Sequence, residues 1–189
     1  DPLTAFATRV RPIMIGLGYF EVATLSLSNE REQFGALGMN EKTETLRILN
    51  PVSEMHTLVR TSLLPSLLGI LRKNKHRELP QRIFETGDVV LGTTNRMKLG
   101  GVAIHAKAGF TEVKSLVQSL SIALGFSWTI SPADHPAYLP GRCAVISMEL
   151  DEIGIFGEVH PRTIEAFELK YPVIAFELDL EGLHHKMSP

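Results

Sequence analysis

The chain has 189 residues, 44% hydrophobic and 21% charged, with formal net charge -2 and a pI near 6.4; this suits one sizeable core and excludes a global basic field for nucleic acid. A single cysteine, Cys143, excludes an internal disulfide and a multi-cysteine metal site, and points to a reducing, cytoplasmic location. No apolar run approaches the roughly 18 residues of a membrane span, so no membrane partner is expected, and a first residue of Asp1 rather than Met suggests a domain of a longer polypeptide.

Asp1-Pro2 pairs an N-cap residue with proline at the first helical position, so a helix is expected to start there. Leu3, Phe6, Val10, Ile13, Met14 and Leu17 then line one helical face until Gly16 and Gly18 stop it. Periodicity alone favours core packing over a subunit interface for this stripe. Residues Tyr19 to Ser28 read as a strand, Asn29 to Glu44 as a polar loop, and Thr45 to Leu49 as a short strand. Thr61-Ser62 is expected to cap a helix from Leu63 to about Asn74, whose basic end carries Arg72, Lys73, Lys75, His76 and Arg77. Those cations complement the macrodipole or contact phosphate.

Arg82 to Leu91 reads as a strand bulged at Gly87, paired with Leu99 to Ala106 across a turn at Thr93 to Arg96. Thr111 is expected to cap a helix that Gly125 ends, and Phe126 to Ile130 to form a strand. Two strands, Arg142 to Leu150 and Ile153 to Val159, flank Asp151-Glu152 at hairpin spacing. A helix (Arg162 to Leu169) and a strand (Val173 to Leu180) follow, and Glu181 to Pro189 shows no pattern. The order predicts an α+β fold with a largely antiparallel sheet, with a core over residues 1–180 and a tail over 181–189.

No constellation for catalysis emerges. Gly16-x-Gly18 ends a helix and Gly100-Gly101 lies inside a strand, so neither is a phosphate loop. His135, Cys143 and His160 lack zinc-ligand spacing, and Cys143 reads as a small buried hydrophobe. His184-His185 falls in the patternless tail. No metal ligand and no catalytic residue is assigned.

Three segments together resemble the phenylalanyl-tRNA synthetase β chain. They are Asn50 to His76 (NPVSEMHTLVRTSLLPSLLGILRKNKH) followed by RIFETGDVV from Arg82; LPGRCA (Leu139 to Ala144) with GIFGEVHP (Gly154 to Pro161); and FELDL (Phe176 to Leu180). The resemblance implies a class II aminoacyl-tRNA synthetase-like antiparallel sheet flanked by helices. It also implies pairing with a catalytic α subunit in an α2β2 heterotetramer that attaches phenylalanine to tRNA(Phe). An end soon after FELDL is similar to the archaeal and eukaryotic type of β chain.

In that fold the first motif builds the subunit interface, so the resemblance reassigns the stripe Leu3, Phe6, Val10, Ile13, Met14 and Leu17 to an interface. The second motif places an arginine and a glutamate on ATP. Counted onward from Leu79-Pro80-Gln81-Arg82 and Glu85-Thr86-Gly87, those places fall at about Leu91 and Thr93. Neither side chain grips phosphate as a guanidinium does. The glycine spacing of the third motif is also altered at Gly154 to Pro161. The expectation is a non-catalytic module, with ATP and Mg2+ used by the α subunit. The alternatives are a divergent class II ligase using other cations such as Arg142, or a free-standing tRNA-binding paralogue contacting RNA through Arg72, Lys73, Lys75, His76 and Arg77.

Overall fold

The computed structural model describes residues 2–42 and 44–187; the expected N-cap, Asp1, lies outside them. In chain order the elements are α1 (Pro2–Gly16), β1 (Phe20–Glu21), β2 (Leu27–Ser28), α2 (Glu30–Gln33), a 3-10 turn (Gly35–Leu37), β3 (Leu58–Val59), α3 (Leu64–Lys73), β4 (Gln81–Leu91) and β5 (Thr94–Ile104). They continue with α4 (Phe110–Leu124), β6 (Thr129–Pro132), β7 (Tyr138–Met148), β8 (Asp151–Val159), α5 (Pro161–Ala166), β9 (Val173–Asp179) and α6 (Leu180–Met187).

Seven strands form one sheet in the order β1-β4-β5-β9-β8-β7-β6, antiparallel throughout except for the parallel β1–β4 edge. The expected α+β class and largely antiparallel sheet are therefore present. β9 runs through the middle and is buried on both faces. Ile174, Phe176 and Leu178 join the core under α1, α4 and α6, while Val173 and Ala175 join the core under α3. Leu64, Leu67, Leu68 and Leu71 of α3 fill that second core, each contributing about 2 kcal/mol of apolar burial.

Several sequence expectations are corrected. Tyr19 to Ser28 is not one strand: β1 joins the main sheet, and β2 pairs with β3 in a separate two-stranded ribbon. Thr45 to Leu49 contributes only an isolated bridge, Arg47 to Leu58. The polar stretch after Asn29 holds α2, capped by Asn29, and Phe34 and Leu37 sink into the core. β4 and β5 pair without a bulge at Gly87, and their turn is the residue pair Gly92-Thr93, with Gly92 at φ 62°. The β7–β8 turn is Glu149-Leu150 rather than Asp151-Glu152.

The expected tail is α6 as far as Met187, because Leu180 and Leu183 are fully buried against the sheet. Their i, i+3 spacing is too short a run to stand out as a helix period. α4 is capped by Gly109 and not by Thr111. No helix among the described residues is long and apolar enough to cross a membrane.

Candidate functional site

On the α3 face of the sheet a cleft of about 230 Å³ opens between the start of α3, the segment 33–42, the end of the β4–β5 hairpin and β7. Its floor is a buried ion pair. Lys98 Nζ donates to Glu177 Oε1 at 2.7 Å, and Glu177 is 8% exposed. The other carboxylate oxygen, Oε2, accepts the Ser62 hydroxyl at 2.8 Å and the N–H groups of Leu63 and Leu64 at 2.8 and 3.3 Å. Glu177 thus caps α3, a role the sequence assigned to Thr61-Ser62. The Ser62 hydroxyl supplies part of that cap by accepting the Leu64 N–H at 3.2 Å. Gln33, also buried, accepts the backbone N–H groups of Thr61 and Ser62 and so holds the turn in front of the helix.

Burial pushes the Glu177 carboxyl up, but the Lys98 charge and the bonds from Lys98, Ser62 and Leu63 outweigh it and hold the group below the usual carboxylate range. Burial lowers Lys98, and Glu177 more than restores it, so its ammonium is favoured. Burial holds His135 low, and Tyr138 well above its ordinary value. At neutral pH the cleft therefore presents a closed zwitterion, a neutral imidazole and a neutral phenol. None of these is placed as an activated nucleophile or a free acid–base pair.

A second ion pair joins two of the sequence motifs. Arg60, 2% exposed, contacts Glu85 Oε1 at 2.9 Å and donates to the Asp88 carbonyl at 2.8 Å and the Thr24 hydroxyl at 2.6 Å. Thr24 donates in turn to Glu85 Oε2 at 2.6 Å. The arginine of Val59-Arg60-Thr61-Ser62 and the glutamate of Phe84-Glu85-Thr86-Gly87 are thus partners in one buried network.

The GIFGEVHP segment is likewise structural. A side chain on Gly157 would run into the Arg142 carbonyl and one on Gly154 into Leu178, so both glycines permit close strand approach. Glu158 Oε1 accepts the Phe110 N–H at 2.8 Å at the start of α4, and His160 Nδ1 accepts the Arg162 N–H at 3.1 Å at the start of α5. Cys143 is buried, and desolvation with the nearby Asp134 charge pushes its thiol up to about 11, which makes it inert at neutral pH. No group of three metal-ligating side chains occurs among the described residues.

Residues 1–180 match the family model described as the phenylalanyl tRNA synthetase beta chain CLM domain. The chain belongs to the phenylalanyl-tRNA synthetase β-chain family. It is similar to the phenylalanine–tRNA ligase β subunits of Archaeoglobus fulgidus (42% identical over 185 residues, 96% of this chain and 34% of that protein) and Methanothrix thermoacetophila (41% over 179 residues, 95% and 33%). That of Methanocaldococcus jannaschii is 41% identical over 179 residues, covering 91% of this chain and 32% of that protein. The chain spans about a third of the length of the curated relatives it matches.

Within this β-chain framework the sequence-derived sites separate. Phe6, Val10 and Met14 of α1 are fully packed in the chain's own core, with Leu3, Ile13 and Leu17 half-buried. Three of the six side chains assigned to an interface are therefore already used, as the core-packing alternative expected. Ile15 of α1 and Phe20 just after it face outward, at 58% and 77% exposed, and further apolar surface is exposed elsewhere. Leu25 is 66% exposed, Leu49 96%, Val52 101% and Met55 54%; Leu25 and Met55 share a groove with Ile70 on the outer side of α3. Sequence reading missed this surface because its residues have no period.

Leu91 and Thr93 sit exposed at the tip of the β4–β5 hairpin, with Leu91 forming one wall of the cleft. The basic segment after α3 is split. Arg72 bonds Glu32 at 2.9 Å and lies 5.8 Å above the Phe167 ring, so it is tied down locally. Lys75 holds Glu168 at 2.8 Å. Lys73 faces the groove beside Leu25, whereas Lys75, His76 and Arg77 face a different cavity.

Proposed function

We propose that this chain is the non-catalytic, class II synthetase-like module of a phenylalanyl-tRNA synthetase β subunit, and that it supports assembly with the catalytic α subunit. The α subunit, with ATP and Mg2+, performs the attachment of phenylalanine to tRNA(Phe), and the α2β2 heterotetramer works in the cytoplasm. The observation that carries this reading is the Lys98–Glu177 pair. The buried cation of the cleft is spent on an internal carboxylate, which itself occupies the N-terminus of α3, and the family resemblance puts Leu91 and Thr93 at the positions where a ligase needs charged groups. Phosphoryl-transfer chemistry depends on positioned cations, and with Lys98 paired and only the exposed Lys42 left in the lining, such a cleft is silent. The family match and its signature residues, spent on caps and a buried network, support a scaffold role.

Exposed Leu25 and Met55, which share a groove, and Leu49 and Val52, which lie close to Met55 in sequence, supply the surface for the α subunit, since exposed apolar side chains mark interaction sites. The test is ATP–pyrophosphate exchange with phenylalanine, run on this chain alone and on the αβ complex. Exchange by the complex and none by the chain is expected; appreciable turnover by the chain alone overturns the reading.

A further inference from the structure

A cavity not used by this reading, about 560 Å³, lies between the segment after α3 and the segment after α5. Its floor is apolar, made by Leu71, Ile104, Leu169 and the half-exposed Leu79. Lys75, His76 and Arg77 stand on one side and Lys170 and Tyr171 on the other. Tyr171 is 46% exposed, which leaves ring surface uncovered. The Lys75–Glu168 ion pair at 2.8 Å ties the two segments together and neutralises the cavity's acidic residue. Arg77 and Lys170 have no carboxylate partner among the described residues.

We infer that this cavity takes one unstacked nucleotide of a single-stranded RNA segment, its base over Leu79 against Tyr171 and its phosphates on Arg77 and Lys170. The inference rests on the place in a tRNA-charging complex proposed above, and it narrows the RNA contact considered for the basic segment to a site that adds Lys170 and Tyr171. The volume lies within the range of small-ligand pockets. An apolar slot with an exposed aromatic ring suits a planar base, and unpaired cations beside it suit backbone phosphates. An acidic peptide would use the cations but not the slot. Arg72, bonded to Glu32 and lying above Phe167, does not take part.

The experiment uses the full-length β chain purified with its α partner and a short single-stranded RNA carrying 4-thiouridine. Photocrosslinks are expected within residues 75–81 or 168–172. Tyr171→Ala should weaken binding about tenfold, as for loss of one stacked base, without changing the melting temperature. Arg77→Ala and Lys170→Ala should each reduce the slope of log affinity against log salt by about 0.7. Duplex RNA of the same length, and an acidic peptide, should fail to compete. Crosslinks that map only outside these segments, equal competition by duplex or peptide, or an unaffected Tyr171→Ala variant would each overturn the inference. Whether the complex assembles and is active is read separately, so loss of this site leaves the scaffold reading standing.

Discussion

Glu177 and Leu63 are 114 residues apart in sequence, yet the Glu177 carboxylate accepts the Leu63 N–H at 2.8 Å and so begins helix α3. The central strand of the sheet thereby sets where that helix starts, and Lys98 from the neighbouring strand keeps the capping group ionised. Two consequences of this arrangement, and two of other contacts in the fold, can be measured.

Glu177→Gln leaves Lys98 buried beside a neutral amide and weakens the cap. Removing one member of a buried pair costs about 3–5 kcal/mol, so the urea midpoint should fall at constant m. The double variant Glu177→Leu/Lys98→Met removes both charges and should recover more than half of that loss. No recovery would mean that the cap, and not the charge pairing, dominates.

The pH dependence has a definite sign. The folded Glu177 pKa is depressed, so its stabilisation is complete above the unfolded value of about 4.3 and is lost as pH falls through the folded value. The folded Lys98 pKa is raised, so its share is complete below about 10.4 and is lost as pH rises through the folded value. The stability gap between wild type and the double variant should be flat from about pH 5 to 10 and change in favour of the variant below about pH 4. A gap independent of pH contradicts the assignment.

Gly87→Ala places a methyl group against Arg60 Nη2, with Glu85 Oε1 2.9 Å away, inside the buried network. It should destabilise the fold by about 1–3 kcal/mol, and Arg60→Met by about 3–5 kcal/mol because Glu85 then stays buried and unpaired. Thermal melts of the two variants check this; a neutral Arg60→Met would remove the network from the stability argument.

Leu49→Asp and Val52→Asp change side chains that touch solvent, so folding stability should stay within about 0.5 kcal/mol of wild type. Co-purification with the α subunit should fall at least tenfold. Met14→Asp, inside the core, should instead unfold the chain. Normal assembly of both surface variants would move the interface elsewhere.

Local chemistry made much of this molecule readable in advance. The amphipathic spacing of Leu64, Leu67, Leu68 and Leu71 specifies α3, Gly125 at φ 79° ends α4, and the β-branched and aromatic run from Val173 to Phe176 specifies the doubly buried β9. Each depends on neighbours within a few residues, which a linear reading sees. The family signatures were legible as well, but their purpose was not. Arg60 and Glu85, Glu177 and Leu63, and Glu158 and Phe110 meet only after the sheet has formed. α6 was invisible because its eight residues are held by burial of Leu180 and Leu183 rather than by propensity. The sequence by itself determined the long helices and strands, the largely antiparallel sheet and the family. Tertiary structure alone decided which charges neutralise each other, which apolar side chains stay in water and which cations face a common cavity, because Coulomb pairing and burial depend on distance through space and not along the chain.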